Sequence, residues 1–226
     1  MRHYLWHAFH WGGKPRDPVW VDARIAHWRR FVLPQLQAMR PLFDRVIVYC
    51  RSTDAYAIAQ WRRQPVDVVL YNMDRLASDA ILAADRGQDW IAWTRLDTDD
   101  LLGVHFRHLL DQVEPADGLA AVCAAPGLCL DVVNRQWGEW RHEYPANSTI
   151  FIPGERWQQR EAAWAYAYCK HGEVRRFRPV RLPAHSYCVL IHGANDSSTL
   201  RHPIHPTGRL AEQIGHEFPA LREYLR

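Results

Sequence analysis

Three short runs rich in β-branched and aromatic residues constrain the fold most: RVIVYC (45–50), VDVVLYN (66–72) and WIAWTRL (90–96). They show little alternation of apolar and polar positions, as expected of strands covered on both faces. Helix signals lie between them. One helix is expected from about Asp54 to Arg63, after Thr53 as a cap, and another after Ser78 in SDAILAADRG, with Gly87 as its stop. Strands alternating with helices predict βαβ units, hence an α/β fold whose mainly parallel central sheet is flanked by helices. At 226 residues the chain can bury a full core, and one domain over 1–226 is expected.

The flanking segments extend this pattern. RIAHWRRFVLPQLQAM (24–39) reads as a helix interrupted or restarted around Pro34. Phe106, Leu109, Leu110 and Val113 form an i, i+3, i+4, i+7 stripe, so a helix should pack there on the sheet. LAAVCAAPGLCLDVV predicts two strands around Pro126-Gly127, followed by an aromatic loop, NRQWGEWRHEYP. GERWQQREAAWAYAYCKHG is a helix candidate stopped by Gly172, YCVLIHG a late strand, and the tail from about Leu210 mostly helical.

Composition excludes little beyond the extremes. The chain is 48% hydrophobic and 23% charged with net charge +3, which fits a globular protein and gives no strong pull toward nucleic acid. Of its 28 basic residues only Lys14 and Lys170 are lysines. Arginine forks suit phosphates and carboxylates, although genome base composition gives the same bias. Five cysteines without close metal-type pairing fit a reduced, cytoplasmic protein. MRHYLWHAFHWGG has too short an apolar run for a signal peptide, and no transmembrane segment is expected.

The chemistry concentrates where the third strand ends. WIAWTRLDTDDLL (90–102) runs from apolar residues into Asp97, Asp99 and Asp100. A strand ending at Leu96 delivers these acids to the carboxyl edge of the sheet, where open α/β sheets hold ligands. If the extended geometry persists, Asp97 and Asp99 share a side and Asp100 points away. Converging carboxylates raise each other's pKa unless a cation lies between them. Oxygen ligands of this kind suit Mg²⁺ or Mn²⁺, which bind substrate phosphates through one or two protein carboxylates. The structural alternative makes them acids at a helix start, which accounts best for Asp100.

With these residues in view, a strand ending in D-x-D resembles the metal-dependent GT-A glycosyltransferase fold. More narrowly, TRLDTDDLL resembles the R-L-D-x-D-D-A-L segment of a family of bacterial proteins assigned as rhamnosyltransferases. WRRFVLPQLQAM is similar to that family's aromatic-x-L-P-S-L-x-x-Q helix, with Gln35 in place of its serine. FDRVIVYC, YPANSTIFI, YCKHG and YCVLIHGANDSS match further segments in the family's order across roughly residues 24–200. The resemblance implies a nucleotide-sugar-binding half to about residue 130 and an acceptor-binding half over about 131–226. It implies that Asp97 contacts the donor ribose or shares the metal, that Asp99 is the main metal carboxylate, and that Arg95 neutralises the donor phosphate or orients the acids. His192 holds the place of a late metal-binding histidine, with Gly193 and Asn195 letting the loop approach a phosphate. The expected partners are a nucleotide-sugar donor and a glycan or other hydroxyl acceptor, with Mn²⁺ or Mg²⁺ as cofactor.

An inverting reaction needs a carboxylate to take the acceptor proton, and Asp131, Glu139 and Glu143 are alternative candidates; a retaining reaction does not need this base. Sugar C–H faces stack on indole rings, so Trp137, Trp140 and Tyr144 are candidates for an acceptor platform, against the usual core role of aromatics. VRRFRPVR (174–181) reads as a solvated face or an acceptor-phosphate patch. The spacings His3, His7, His10 and His202, His205 imitate metal ligands without acidic or cysteine partners. An aspartyl phosphatase expects its motif near the start of the fold, a downstream lysine and a second acidic pair; Lys170 is the only later lysine, and the acidic pair is missing. A nucleotidyltransferase lacks its glycine-rich phosphate loop. A non-catalytic carbohydrate-binding module, from another class, and a nucleotidyltransferase of related fold stay as the alternatives.

Overall fold

The computed structural model describes residues 1–9, 17–72, 75–77, 87–142, 147–158, 171–192, 200 and 202–225. The strands, in chain order, are β1 (Arg2–Ala8), β2 (Arg45–Arg51), β3 (Asp67–Asn72), β4 (Arg75–Ala77), β5 (Trp90–Asp97), β6 (Leu101–Leu102) and β7 (Leu119–Cys123). They continue with β8 (Gly127–Asp131), β9 (Gln136–Trp140), β10 (Ser148–Pro153), β11 (Arg178–Leu182), β12 (Tyr187–Ile191) and β13 (Pro203–Ile204). An eight-stranded sheet has the order β11-β7-β10-β5-β1-β2-β3-β4, and a five-stranded sheet the order β13-β9-β8-β12-β6. The four strands β3, β2, β1 and β5 are mutually parallel, as expected of the α/β core. β10 then pairs antiparallel with both β5 and β7.

Both faces of the large sheet are buried over β7, β10, β5, β1 and β2, which is why these strands lack clean alternation. One face carries Tyr4, Trp6, Ile47, Tyr49, Ile91, Trp93, Ile150 and Ile152. The other carries Leu5, Val48, Ala92, Leu96 and Phe151 in a larger cluster that extends to the second sheet and the carboxyl-terminal helices. Trp6, Trp28, Trp61, Trp93, Trp137 and Trp157 are all buried, so much of the tryptophan content serves packing. Trp93 lies 6.2 Å from Trp6 and 5.0 Å from Trp157, ring to ring.

The first helical segment starts earlier than expected. α1 (Pro18–His27) begins at a proline, whose missing amide costs nothing in the first turn, and Asp17 caps it by accepting from the Val19 amide. It passes through a π-helical stretch, Trp28–Val32, into α2 (Leu33–Ala38) without a break. Pro34 cannot donate to a carbonyl one turn back, and the register widens just before it, with the Leu33 amide bonded to the Trp28 carbonyl.

The helix after β2 is α3 (Ala55–Trp61), and its cap is Asp54 instead of Thr53: the Asp54 carboxylate accepts from the Ala57 amide at 3.0 Å. α4 (Phe106–Asp111) buries Phe106 and Leu110 as the stripe predicts. α5 (Gly154–Gln158) opens the next helix candidate, whose remainder lies outside the described residues apart from a 3₁₀ turn at His171–Arg176. The helix expected after Ser78 also lies outside them. α6 (Gly208–Glu217) and a 3₁₀ turn at Pro219–Tyr224 form the helical tail. The aromatic segment expected as a loop contains β9, paired antiparallel with β8.

Gly154 marks a close approach of two backbones. Its amide donates to the Asp89 carbonyl at 2.8 Å, and a Cβ there would land on the Gln88 carbonyl oxygen. Neither backbone can yield as a side chain would. Gly154→Ala should therefore lower stability by about 1–3 kcal/mol in urea unfolding, and an unchanged midpoint would contradict this contact.

Candidate functional site

β1 lies between β2 and β5, so the chain runs to opposite sides of it and leaves a crevice at the carboxyl ends of β1 and β5. Ala8 and Asp97 are partners at that edge. The extended geometry stops at Asp97, and the turn that follows separates the acids. Asp97 stays at the strand end, partly exposed, and accepts from Arg95 at 3.1 Å. Arg95 is itself buried and packs over the Trp6 ring at 5.7 Å.

Asp99 turns inward, to only 5% exposure. Its Oδ2 lies 3.3 Å from His192 Nε2, just beyond the end of β12, and forms an ion pair with Arg24 of α1. The same Arg24 nitrogen is 3.2 Å from His192 Nε2. His27, one turn along α1, stacks on the His192 ring with centroids 3.8 Å apart. Trp20 covers the Arg24 guanidinium at 5.0 Å. The D-x-D segment and the late histidine thus meet, as the resemblance implies for Asp99 and His192, while Asp97 is drawn off by Arg95.

Electrostatics follow from this packing. Burial opposes ionisation of Asp99, but the His192 hydrogen bond and the Arg24 charge outweigh it and hold the carboxyl below its usual range. Burial, then the charges of Asp99 and Asp97, push Asp100 well above that range, and the Leu190 amide hydrogen-bonded to it offsets only part. Asp100 is therefore a buried strut to β12, not a helix-start acid: α4 begins only at Phe106. Burial, reinforced by His192, brings His27 down to about 3, so the ring stays neutral.

A cleft of about 660 Å³ opens beside this cluster, with Trp20, His27, Arg30, Phe31, Val132 and His192 among its walls. Asp99 and His192 offer oxygen and nitrogen donors at a spacing close to the roughly 3 Å between adjacent ligands of a hexacoordinate ion with bonds of about 2.1 Å. This donor pair fits the Mn²⁺ or Mg²⁺ that the D-x-D pattern implies, provided Arg24, which touches both donors, turns aside.

The other candidates have different surroundings. Asp131 accepts from the Val133 and Asn134 amides and from the Asn134 side chain, closing the β8–β9 turn. Glu139 pairs with Arg141 at 2.7 Å on β9. Neither lines the cleft. Trp137 is buried, its indole N–H donating to the Tyr224 carbonyl at 2.9 Å, so its faces belong to the core and not to an acceptor platform; Trp140 is half-buried. Glu143, Tyr144, Gly193 and Asn195 lie outside the described residues. Arg178 and Arg181 are exposed on the edge strand β11, a solvated face of the kind that keeps sheet edges from pairing. His3 and His7 are buried on β1, where His7 Nδ1 meets the Leu96 carbonyl at 3.2 Å, and they form no ligand set with His202 or His205.

Arg24, His27 and Trp20 are the residues of this site that sequence patterns did not single out. One signal was present. Val21, Arg24, Ile25 and Trp28 form one buried helical stripe, and an arginine inside such a stripe requires an acid partner.

No family model matches the chain, and no curated protein sequence matches it. Among solved structures it is similar to HddC from Yersinia pseudotuberculosis, with a TM-score of 0.43 and 10% identity over 83% of this chain and 92% of that one. It is also similar to a nucleotidyl transferase from Methanothermobacter thermautotroptrophicus, with a TM-score of 0.37 and 11% identity over 100% and 97% of the two chains. A third is a protein from Desulfovibrio desulfuricans G20 assigned to the nucleotide-diphospho-sugar transferases, with a TM-score of 0.35 and 11% identity over 98% and 96%.

Proposed function

We propose that the chain is a metal-dependent glycosyltransferase that moves a sugar, rhamnose among the candidates, from a nucleotide-sugar donor to an acceptor hydroxyl. The observation that carries this reading is the meeting of Asp99 and His192 at the switch point, beside an open cleft. In this reading Asp99 and His192 hold Mn²⁺ or Mg²⁺, which when bound supplies Lewis-acid stabilisation of charge on the departing diphosphate. Trp20 and Phe31 offer apolar walls for a nucleoside, and Arg30 a positive charge at the cleft. Arg24, once turned from Asp99, presents a guanidinium fork of the kind that binds phosphate oxygens in pairs. Arg95 orients Asp97 at the strand end, in reach of solvent and of a ribose. Gly193 and Asn195 are proposed for the donor phosphates and Trp140 and Tyr144 for the acceptor. Asp131, Glu139 and Glu143 are the alternative carboxylates proposed as base if the reaction inverts. Among the described residues no helix is long and apolar enough to cross a membrane.

Melting curves with UDP, GDP, dTDP and CDP, each with and without Mn²⁺, test the reading. One nucleoside diphosphate should raise Tm only when Mn²⁺ is present, since a ligand selective for the folded state stabilises it by mass action. His192→Ala should abolish that rise. No rise with any of the four, or a rise indifferent to the cation, would refute the proposal.

A further inference from the structure

A second cluster of ligating side chains lies away from the cleft, where α6 ends against the segment leading into α4. His105, His216 and Glu217 each present a donor atom, and the three atoms lie within 4.8 Å of one another. His105 Nδ1 and Glu217 Oε1 are 2.9 Å apart, and the His105 and His216 rings lie nearly parallel with centroids 4.9 Å apart.

The scaffold under them is fixed. The Glu217 carbonyl accepts from the Val104 amide at 2.9 Å and from the buried Gln35 side chain at 2.7 Å. The Glu217 carboxylate lies against Gly103, in the space that a Cβ there would need. Gln35 also donates to the Leu102 carbonyl at 2.8 Å, so one side chain ties both halves of the cluster to α2. A helix-capping ion pair between His105 and Glu217 needs only these two residues. It gives no reason for a second imidazole stacked beside the first.

We propose that His105, His216 and Glu217 bind a divalent first-row transition metal ion, Zn²⁺ being the best match. Two imidazoles and one carboxylate are a borderline donor set, favoured by Zn²⁺ over Mg²⁺ or Ca²⁺. Tetrahedral zinc with bonds of about 2.0–2.1 Å sets its donors roughly 3.4 Å apart. His105 and Glu217 are already near that separation, and the exposed His216 has only to rotate inward. The fourth position is left to water. The ion clips the end of α6 to the start of α4 and leaves the Asp99–His192 site untouched.

The test is titration of the intact protein with Zn²⁺ by calorimetry, and with Co²⁺ by visible absorption, in four proteins: wild type, His216→Ala, Glu217→Gln and His192→Ala. His192→Ala should bind one Zn²⁺ per chain, and both it and wild type should give the intense bands of tetrahedral Co²⁺. His216→Ala, an exposed change that leaves the packing in place, should weaken Zn²⁺ at least tenfold and lose those bands, and Glu217→Gln should do the same. Equal titrations in wild type and His216→Ala, or no binding in wild type, would overturn the proposal. Loss of binding in His192→Ala alone would place the ion at the other site and overturn it as well. Neither result depends on glycosyl transfer, so failure here is distinct from failure of the proposed function.

Discussion

Asp99→Ala should lower the stability of the fold by about 3–5 kcal/mol and, on the proposed function, abolish donor turnover. The Arg24 and Asp99 side chains are 6% and 7% exposed and are ion-paired. Removing Asp99 leaves Arg24 buried without its carboxylate, and removing Arg24 leaves Asp99 buried with His192 but without the guanidinium; either costs far more than the pair itself contributes. Arg24→Ala should therefore destabilise by a similar amount. The double variant Arg24→Met/Asp99→Leu, which replaces both charges with apolar groups, should recover most of the loss while staying inactive. Urea midpoints of the three variants against wild type, with metal-dependent turnover of the donor, check this. A single variant that unfolds at the wild-type midpoint would rule out the buried pair. The arrangement also means that activity lost in Asp99→Ala is not interpretable alone, and the double variant is needed to separate chemistry from folding.

The second large effect concerns acid. Burial lowers both His3 and His7 from 6.5 to about 4, in His3 aided by Arg107 and opposed by Asp111, in His7 opposed by hydrogen bonding to the Leu96 carbonyl. Both rings are neutral in the fold and take up a proton when the chain opens. Between about pH 6.5 and 4 the unfolded state therefore binds more protons, and stability falls as pH falls through that window. It should be level above the window and level again below it as far as these two groups are concerned. His7, with no exposure, accounts for about 3 kcal/mol of this on its own. Urea midpoints from pH 7.5 to 4 should show the decline, and a His7→Leu variant should show a flatter one whatever its stability at pH 7.5. A midpoint constant across this range would contradict the buried neutral rings.

What could be read from the chain and what could not divides along physical lines. β2, β3 and β5 were legible because both their faces are apolar, so composition alone marks them. β1 was not, because its inward positions include His3 and His7, and RHYLWHA does not read as a core strand although it lies at the centre of the sheet. β9 carries Gly138, Glu139 and the partly exposed Trp140 near the edge of the smaller sheet, and so it reads as a loop. Asp99 was legible because acids after a buried strand need an explanation. Its partners were less so: Arg24 lies 75 residues away in the chain and His192 lies 93 away, and helix periodicity gives no hint of which acid a buried arginine will meet. Trp137 was hard to assign for a simpler reason: indoles that stack on sugars and indoles that fill a core have the same composition.

The span of the Arg24, Asp99 and His192 contacts governs how the protein can come together. Arg24 and His192 are separated by 168 positions, and β1 must wait for β5 before the centre of its sheet is closed. Contacts this distant in sequence carry a large loop-closure cost and slow folding. During synthesis β1 and β2 can pair early, but a nascent chain paused after β5 holds Asp99 without His192 and without a completed cleft. The cleft beside Asp99 and His192 is thus among the last features to form, and on the proposed function a partly made chain has no working pocket for a nucleotide.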